Sequence, residues 1–221
     1  MLHGDIPSSG LDTVLPKSQL VERFGNELTL EEYGKSELNS IARIKPDGLH
    51  EIGANVWNRI VVRGWHSVEP KCLSDSFDNR DSNLYRAISR LLDIEVIRDI
   101  YYVRGWKGTK KRRQLVVELL LAWVYQNDLH LADITFIDPN QPIPRDKRLA
   151  FQTHKGLGLL PVLLANLQQK GKQLGCEQLT LIAATRDQMR LFAKHGFVAE
   201  NSPLARLGMK TGIAIPMERT V

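Results

Sequence analysis

The order of elements near the C-terminus limits the fold of this chain more than any other feature. Residues 159–174 carry leucines at the spacing of one helical face, and residues 178–184 alternate apolar and polar side chains as a strand does. A second helix is predicted next, because residues 185–188 have the spacing of an N-terminal capping box. Gly196 and Phe197 then have the pattern of a helix C-terminus, a left-handed glycine followed by an apolar contact.

A glycine-rich turn precedes the first of these helices. Gly156 and Gly158 allow the backbone to approach a ligand closely, and the free N–H groups and positive dipole end of the helix point to the same place. Pro161 agrees with this arrangement if Gly158 is the N-cap, since its missing N–H then falls in the first turn. The sequence therefore predicts an anion seat suited to a diphosphate. A plain tight turn between strand and helix is the alternative.

With a short strand candidate at 148–152 before the turn, this succession resembles the GNAT superfamily of acyltransferases between Phe151 and Glu200, under a quarter of the chain. The resemblance implies an α/β fold in which helices flank a mixed sheet with two central strands splayed apart. It implies that the pantetheine of acyl-CoA lies in that gap and that an acyl group passes from the thioester to an amine. It places the diphosphate on Thr153, His154, Lys155, Gly156, Leu157, Gly158 and Leu159.

The chain departs from the family pattern at two positions. Thr153 stands where the family has Gln or Arg, so Lys155 and backbone amides would have to hold the diphosphate. Phe192 stands four residues before Gly196, where a Tyr often serves as the acid, and Phe cannot donate a proton. His195 fits a helix cap better than a catalytic group. A protein that binds acyl-CoA without turnover is therefore the alternative to an enzyme.

Acyl transfer to an amine also requires a group that accepts the amine's proton. Asp138, at the end of the strand candidate 132–137, and His154 in the turn are the candidates for proton transfer; Asp133 begins the same strand. Asp138 precedes Pro139 and fits an Asx turn equally well.

Periodicity and turn residues predict the remaining elements. Helices are predicted at 28–44, 82–92 and 110–127, strands at 55–65, 94–103, 132–137 and 211–217, and an irregular proline-rich loop at 138–145. We expect an N-terminal arm and helix at 1–50, docked on a single acyl-CoA-binding domain at 51–221.

A second segment, residues 104–108, offers a rival diphosphate turn with Arg104 at the Gln/Arg position. Basic side chains crowd the start of the helix predicted after it, where positive charge opposes the helix dipole and a bound anion would relieve the conflict. The anion could be the 3′-phosphate of coenzyme A, a nucleic-acid backbone or an acidic partner. A solvated basic patch is the alternative. The side chains concerned are Lys107, Lys110, Lys111, Arg112 and Arg113.

The composition indicates the kind of partner and cellular compartment to expect, but it does not indicate the activity. The net charge of +5 and a pI near 9.2 favour anionic partners without choosing between coenzyme A, RNA and acidic proteins. Cys72 and Cys176 have no disulfide-framework or metal-ligand spacing, so we expect a reducing, cytoplasmic setting and no metal. The apolar run 115–125 is too short for a membrane span. A homodimer that pairs sheets is compatible with the sequence.

Overall fold

The computed structural model describes residues 10–63, 83–109, 112–148 and 152–221, with backbone only for 61–63. The short strand predicted at 148–152, the end of the strand predicted at 55–65, and Lys110 and Lys111 therefore lie largely outside the described residues. The helices are α1 Lys17–Phe24, α2 Leu38–Ile44, α3 Pro46–Arg63, α4 Leu84–Leu92, α5 Leu160–Leu174, α6 Arg186–Ala193 and α7 Pro203–Thr211. The strands are β1 Leu28–Tyr33, β2 Ile97–Lys107, β3 Gln114–Val124, β4 Asp128–Pro142, β5 His154–Gly156, β6 Gln178–Thr185, β7 Val198–Ala199 and β8 Ile213–Thr220.

The strands form one mixed sheet in the order β1-β2-β3-β4-β6-β8-β7, with β5 added beside β4. The β4–β6 pair is parallel and all other pairs are antiparallel. The parallel register extends only from Leu129 to Leu131 on β4, although β4 runs on to Pro142 and β6 to Thr185. The two central strands therefore separate, which confirms the predicted mixed, splayed sheet flanked by helices.

Helices cover both faces of the sheet. Successive side chains of a strand point to opposite faces, so each central strand contributes to the packing on both sides. On β2, Tyr102 packs with α3 and α4, whereas Tyr101 packs with α5 and the N-terminal residues 11–24. The two faces thus have separate cores, and most side chains of both are fully buried.

The strand predicted at 55–65 is wrong, because its described part belongs to α3. Its β-branched residues favour a strand, but the apolar positions Leu49, Ile52, Val56 and Ile60 recur at helical spacing, and all four are 0% exposed. Pro46 begins α3, at a position where a backbone N–H would have no intrahelical acceptor. Pro46 is therefore the start of this helix and not the end of the helix predicted at 28–44.

The helix predicted at 110–127 is also wrong, since β3 occupies 114–124. A central strand is covered on both faces and reads as a continuous apolar run, which is easily mistaken for a buried helix. The predicted helix 28–44 is β1 followed by α2. The predicted loop 138–145 is wrong in its first half, because β4 continues to Pro142.

The predictions around the C-terminal run are confirmed within a few residues: α5, β6, α6 and β8 all form where the pattern placed them. The strand predicted at 94–103 is present as β2, shifted towards 107, and α4 begins at Leu84.

Candidate functional site

A gap in the sheet separates β4 from β6 where their pairing ends. The pairing of β4 with β6 ends at Leu131, and beyond it residues 132–136 pair with no described strand other than β3. Further along, β4 pairs with β5 at Ile137. A register shift on the β3 side, between Leu120 and Leu121, adds a bulge to β4 at the same level. We call residues 132–136 and the space beside them the splay gap. Its closed end lies at Leu131 and its mouth at Ile137.

The predicted glycine turn lies at the mouth of the splay gap. Gly156 in β5 pairs with Ile137, and buried Leu157 anchors the turn in the core. Gly158 has a φ of 75° and open space beside its Cα, so a left-handed backbone and not a close contact requires glycine there. The predicted N-cap is wrong by one residue: it is Leu159, and Pro161 still falls in the first turn of α5.

This turn presents positive charge without a side-chain cap. The first amides of α5 have no intrahelical acceptor, the N-cap residue Leu159 supplies no side-chain hydrogen bond, and the helix dipole is positive there. Lys155 beside the turn is exposed and makes no ion pair within the described residues. Thr153 hydrogen-bonds the His154 ring instead, Oγ1 to Nδ1 at 2.9 Å. The arrangement can bind an anion through backbone amides and one lysine.

Asp138 is buried and its carboxylate is fully engaged. Arg23 of α1 donates to it at 2.6 Å, Gln141 at 2.8 Å, and the backbone N–H of Asn140 at 3.0 Å. The last of these bonds is the Asx turn that the sequence allowed. The hydrogen bond from Arg23 holds the pKa of Asp138 below its ordinary value, with help from the other two donors. A stabilised carboxylate with no open side is a poor proton acceptor.

The two catalytic candidates from the sequence therefore share one place, the mouth. His154 is half-buried in β5 and pairs in register with Pro142. Asp138 follows Ile137, which pairs with Gly156. Neither residue lies at the closed end of the splay gap.

The other family positions are structural. Phe192 is 6% exposed and packs edge-on against Phe197 at 5.9 Å between ring centroids. Gly196 has a φ of 83°, as its predicted left-handed role requires. His195 contributes its backbone, since its N–H donates to the Phe192 carbonyl and its own carbonyl accepts from Arg219.

The N-cap of α6 has the predicted residues with one change of partner. Thr185 accepts a hydrogen bond from the backbone N–H of Gln188. The Gln188 side chain accepts from the backbone N–H of Ala184, one residue before the N-cap.

A polar cluster that the sequence did not reveal lies at the closed end. His130 on β4 is 0% exposed and pairs in register with Thr180 on β6. Its Nδ1 lies 2.9 Å from the Thr180 Oγ1, and its Nε2 lies 3.5 Å from Oε1 of Glu51 on α3. Burial raises the pKa of Glu51. Asn55, one turn after Glu51, accepts from the Thr180 hydroxyl at 3.5 Å.

Charged residues extend this cluster in two directions, with Lys45 just before α3 and Arg59 on α3. Towards the mouth, Lys45 forms ion pairs with Asp133 of β4 and Glu118 of β3. Away from it, buried Arg59 binds three carboxylates, at 2.7 to 2.9 Å. These belong to Asp128, Glu200 and Glu218. The polar residues 51, 55, 58 and 59 would have appeared as one helical stripe had the segment been predicted as a helix.

The rival turn 104–108 is not followed by the helix that its role required. It ends β2, and β3 returns antiparallel beside it, so it is a hairpin. Arg104 and Arg113 stack on the Trp106 ring at 4.5 and 4.2 Å from its centroid. Arg113 and Lys107 also form ion pairs with Glu31 and Glu27. Much of the described basic charge here is therefore paired within the protein, whereas Arg112 is exposed.

Two further properties concern the described residues alone. They include no group of three or more His, Cys, Asp or Glu side chains arranged to hold a metal ion. None of their helices has the length and apolar character needed to cross a bilayer.

No protein-family model matches the chain, and no curated protein matches it. Among solved structures, it is similar to a protein named as a streptothricin acetyltransferase of Bacillus anthracis str. Ames in complex with acetyl coenzyme A, at 16% identity and a TM-score of 0.36. The match covers 57% of this chain and 64% of that one, so the chain spans less than two thirds of that relative.

Two other structures match over more of their length. An acetyltransferase of the GNAT family from Staphylococcus aureus Mu50 has 12% identity and a TM-score of 0.36, covering 87% of this chain and 98% of its own. The IAA acetyltransferase from Bacillus cereus ATCC 14579 has 11% identity and a TM-score of 0.37, covering 88% and 99%. Sequence identities and TM-scores this low do not indicate the reaction, so the proposed function rests on the geometry of the site.

Proposed function

We propose that this protein is an acyl-CoA-dependent N-acyltransferase that transfers an acyl group from the coenzyme A thioester to an amine. The observation that carries the proposal is the splay gap with an anion seat at its mouth. An unpaired strand edge can hydrogen-bond a thin chain that carries amides, and pantetheine is such a chain. Residues 131 to 137 span about 20 Å at ~3.3 Å per residue, which gives an extended ligand room to reach the closed end.

The turn at residues 153–159 would then hold the diphosphate. Lys155 supplies a full positive charge, and the amides at the start of α5 supply partial ones. Open space beside Gly158 leaves room for the ligand. The reactive thioester would lie near Leu131, on the far side of the gap from the seat.

The backbone of β4 can support the transfer step. The amine nitrogen attacks the thioester carbonyl carbon, and β4 N–H groups that face the gap can stabilise the resulting oxyanion. The C–S bond then breaks, the amide product forms, and the thiolate leaves as coenzyme A. The anion seat belongs to the α5 face of the sheet, which leaves the α3 face for the acceptor.

We also propose that residues 51–221 form this module and that residues 1–50 dock on it. Leu11, Val14, Leu20 and Phe24 are buried in the same core as α5, which supports a docked segment. The proposal includes a cytoplasmic location and pairing into a homodimer.

Calorimetric titration with acetyl-CoA and desulfo-CoA tests the binding step, and thiol release with a panel of amines tests transfer. We expect Lys155→Ala to weaken acetyl-CoA binding about fivefold, or ~1 kcal/mol. Lys172→Ala removes the same charge at the other end of α5 and is the matched control.

Absence of binding by any acyl-CoA would overturn the proposal. Binding without thiol release from any amine would favour the alternative, a protein that binds acyl-CoA without turnover.

A further inference from the structure

We propose that Glu51 is the group that accepts the proton of the attacking amine and that His130 is the positioning residue that holds the Glu51 carboxylate in place. The inference rests on the proposed acyl transfer and names the chain's own residues for its proton-transfer step. It replaces Asp138 and His154 in that role, because both lie at the mouth of the splay gap.

His130 lies where the two central strands begin to separate. It forms, with Thr180, the middle pair of the three-residue parallel register, one residue before β4 and β6 separate. Leu129 and Leu131 pack on the α5 face, so the His130 side chain points to the α3 face, where Glu51 lies over it. The pair therefore stands at the closed end, on the side opposite the diphosphate seat. Two substrates that met in the gap from opposite faces would react beside it.

The contacts around His130 fix its orientation. Its Nδ1 lies 2.9 Å from the Thr180 hydroxyl oxygen, and its Nε2 lies 3.5 Å from Glu51 Oε1. An ionised carboxylate only accepts hydrogen bonds, so the ring nitrogen that faces ionised Glu51 carries the proton, and the Thr180 hydroxyl donates to Nδ1 of a neutral ring. His130 therefore positions the Glu51 carboxylate at the closed end.

Glu51 differs from the carboxylates around it. Lys45 lies between Asp133 and Glu118 and binds both, whereas Glu51 lies against the His130 ring, 3.5 Å from Nε2. The Glu51 side chain remains 27% exposed although the His130 side chain has no exposed surface, so Glu51 is the open end of the pair. Burial raises its pKa, with Asp133 adding to the effect and His130 and Lys45 opposing it. A carboxylate whose pKa moves towards the working pH is a better base.

The neutral amine forms the new N–C bond, and its N–H proton passes to the Glu51 carboxylate. The C–S bond breaks and its electron pair leaves on sulfur. The proton returns to solvent or to the thiolate, which regenerates ionised Glu51.

The test compares Glu51→Gln with Glu95→Gln, a change of the same type at a surface ion pair with Lys35. We expect Glu51→Gln to lower kcat by about 10²- to 10³-fold at unchanged acetyl-CoA affinity, and to remove the acidic limb of the pH profile of kcat/KM. Glu51→Asp should restore part of the rate. Glu95→Gln should behave as the wild type.

His130→Gln should lower kcat by less and displace the acidic limb. If that variant does not fold, Thr180→Val removes the hydrogen-bond partner of His130 Nδ1 and should displace the limb in the same way. A Glu51→Gln enzyme within threefold of wild type, with its acidic limb intact, would contradict this inference while leaving acyl transfer standing. A wild-type protein that neither binds acetyl-CoA nor releases thiol would instead overturn the proposed function itself.

Discussion

The two ends of the splay gap are built in different ways. The mouth is made of backbone from one contiguous stretch, residues 153–161, in which the left-handed Gly158 and the start of α5 form the proposed anion seat. The closed end is made of side chains from three separate elements, with Glu51 on α3, His130 on β4 and Thr180 on β6. Ligand binding should therefore depend on local backbone geometry, whereas catalysis should depend on how α3 is held against the sheet.

Removing Arg59 should break the closed end most severely. Its guanidinium joins α3 to Asp128 on β4 and to Glu200 and Glu218 on the other side of the gap, and it is 3% exposed. Because Arg59→Ala leaves carboxylates buried without their partner, we expect a loss of about 3–5 kcal/mol in the free energy of unfolding. Urea denaturation measures it.

Arg190→Ala, at an exposed ion pair with Asp187, is the control and should cost less than about 1 kcal/mol. Equal losses in the two variants would show that α3 is not held through Arg59.

Changing Gly158 should break the mouth while sparing the closed end. A β-branched residue at a φ of 75° costs about 1–2 kcal/mol, so Gly158→Val should either strain the turn or move it. We expect acetyl-CoA binding to weaken about tenfold or more, as calorimetry would measure, with the pH profile of the remaining activity unchanged.

Gly175→Val, at the other end of α5, is the matched control. Gly175 also has a positive φ, 66°, so this change introduces the same backbone strain away from the proposed seat. If both variants bound acetyl-CoA like the wild type, the turn would not be the seat.

Asp138 supplies a pH-dependent test of the mouth. Its folded pKa lies below the ordinary value, so its stabilisation is present above the unfolded pKa and is lost as the pH falls through the folded one. Asp138→Asn should therefore lower stability at neutral pH by about 1–2 kcal/mol and by progressively less in acid. Thermal melts between neutral and acidic pH measure this. A difference that stayed constant with pH would contradict the bond to Arg23.

The same contrast explains which parts were predictable from sequence. The mouth depends on glycines and a leucine stripe that act through local geometry, so its turn, α5, β6 and α6 were predicted nearly in place. The closed end depends on residues 79 apart, Glu51 and His130, which only the tertiary fold brings together. No local pattern identifies such a pair.

Misassigned elements concealed the rest of the closed end. With 55–65 predicted as a strand, Glu51 fell outside the element that holds Asn55 and Arg59, so the three residues were not placed on one helical face. With 110–127 predicted as a helix, the basic residues around Arg112 were placed at a helix terminus and not on a hairpin. Because β3 is buried on both faces, its sequence does not alternate between apolar and polar side chains. The β-branched residues of α3 favour a strand, although its apolar positions recur at helical spacing.

The smallest expected effect separates stability from catalysis at the closed end. The folded pKa of Glu51 is raised, so its contribution to stability is fully present below its unfolded pKa and is lost as the pH rises through the folded pKa. Glutamine cannot ionise, and Glu51→Gln should therefore match or exceed the wild-type free energy of unfolding at neutral pH, by roughly 1 kcal/mol or less. Below the ordinary carboxyl range the two proteins should converge. Urea titrations at both pH values test this. A clear destabilisation at neutral pH would mean that ionised Glu51 holds α3 in place, so that its loss of rate could no longer be assigned to proton transfer.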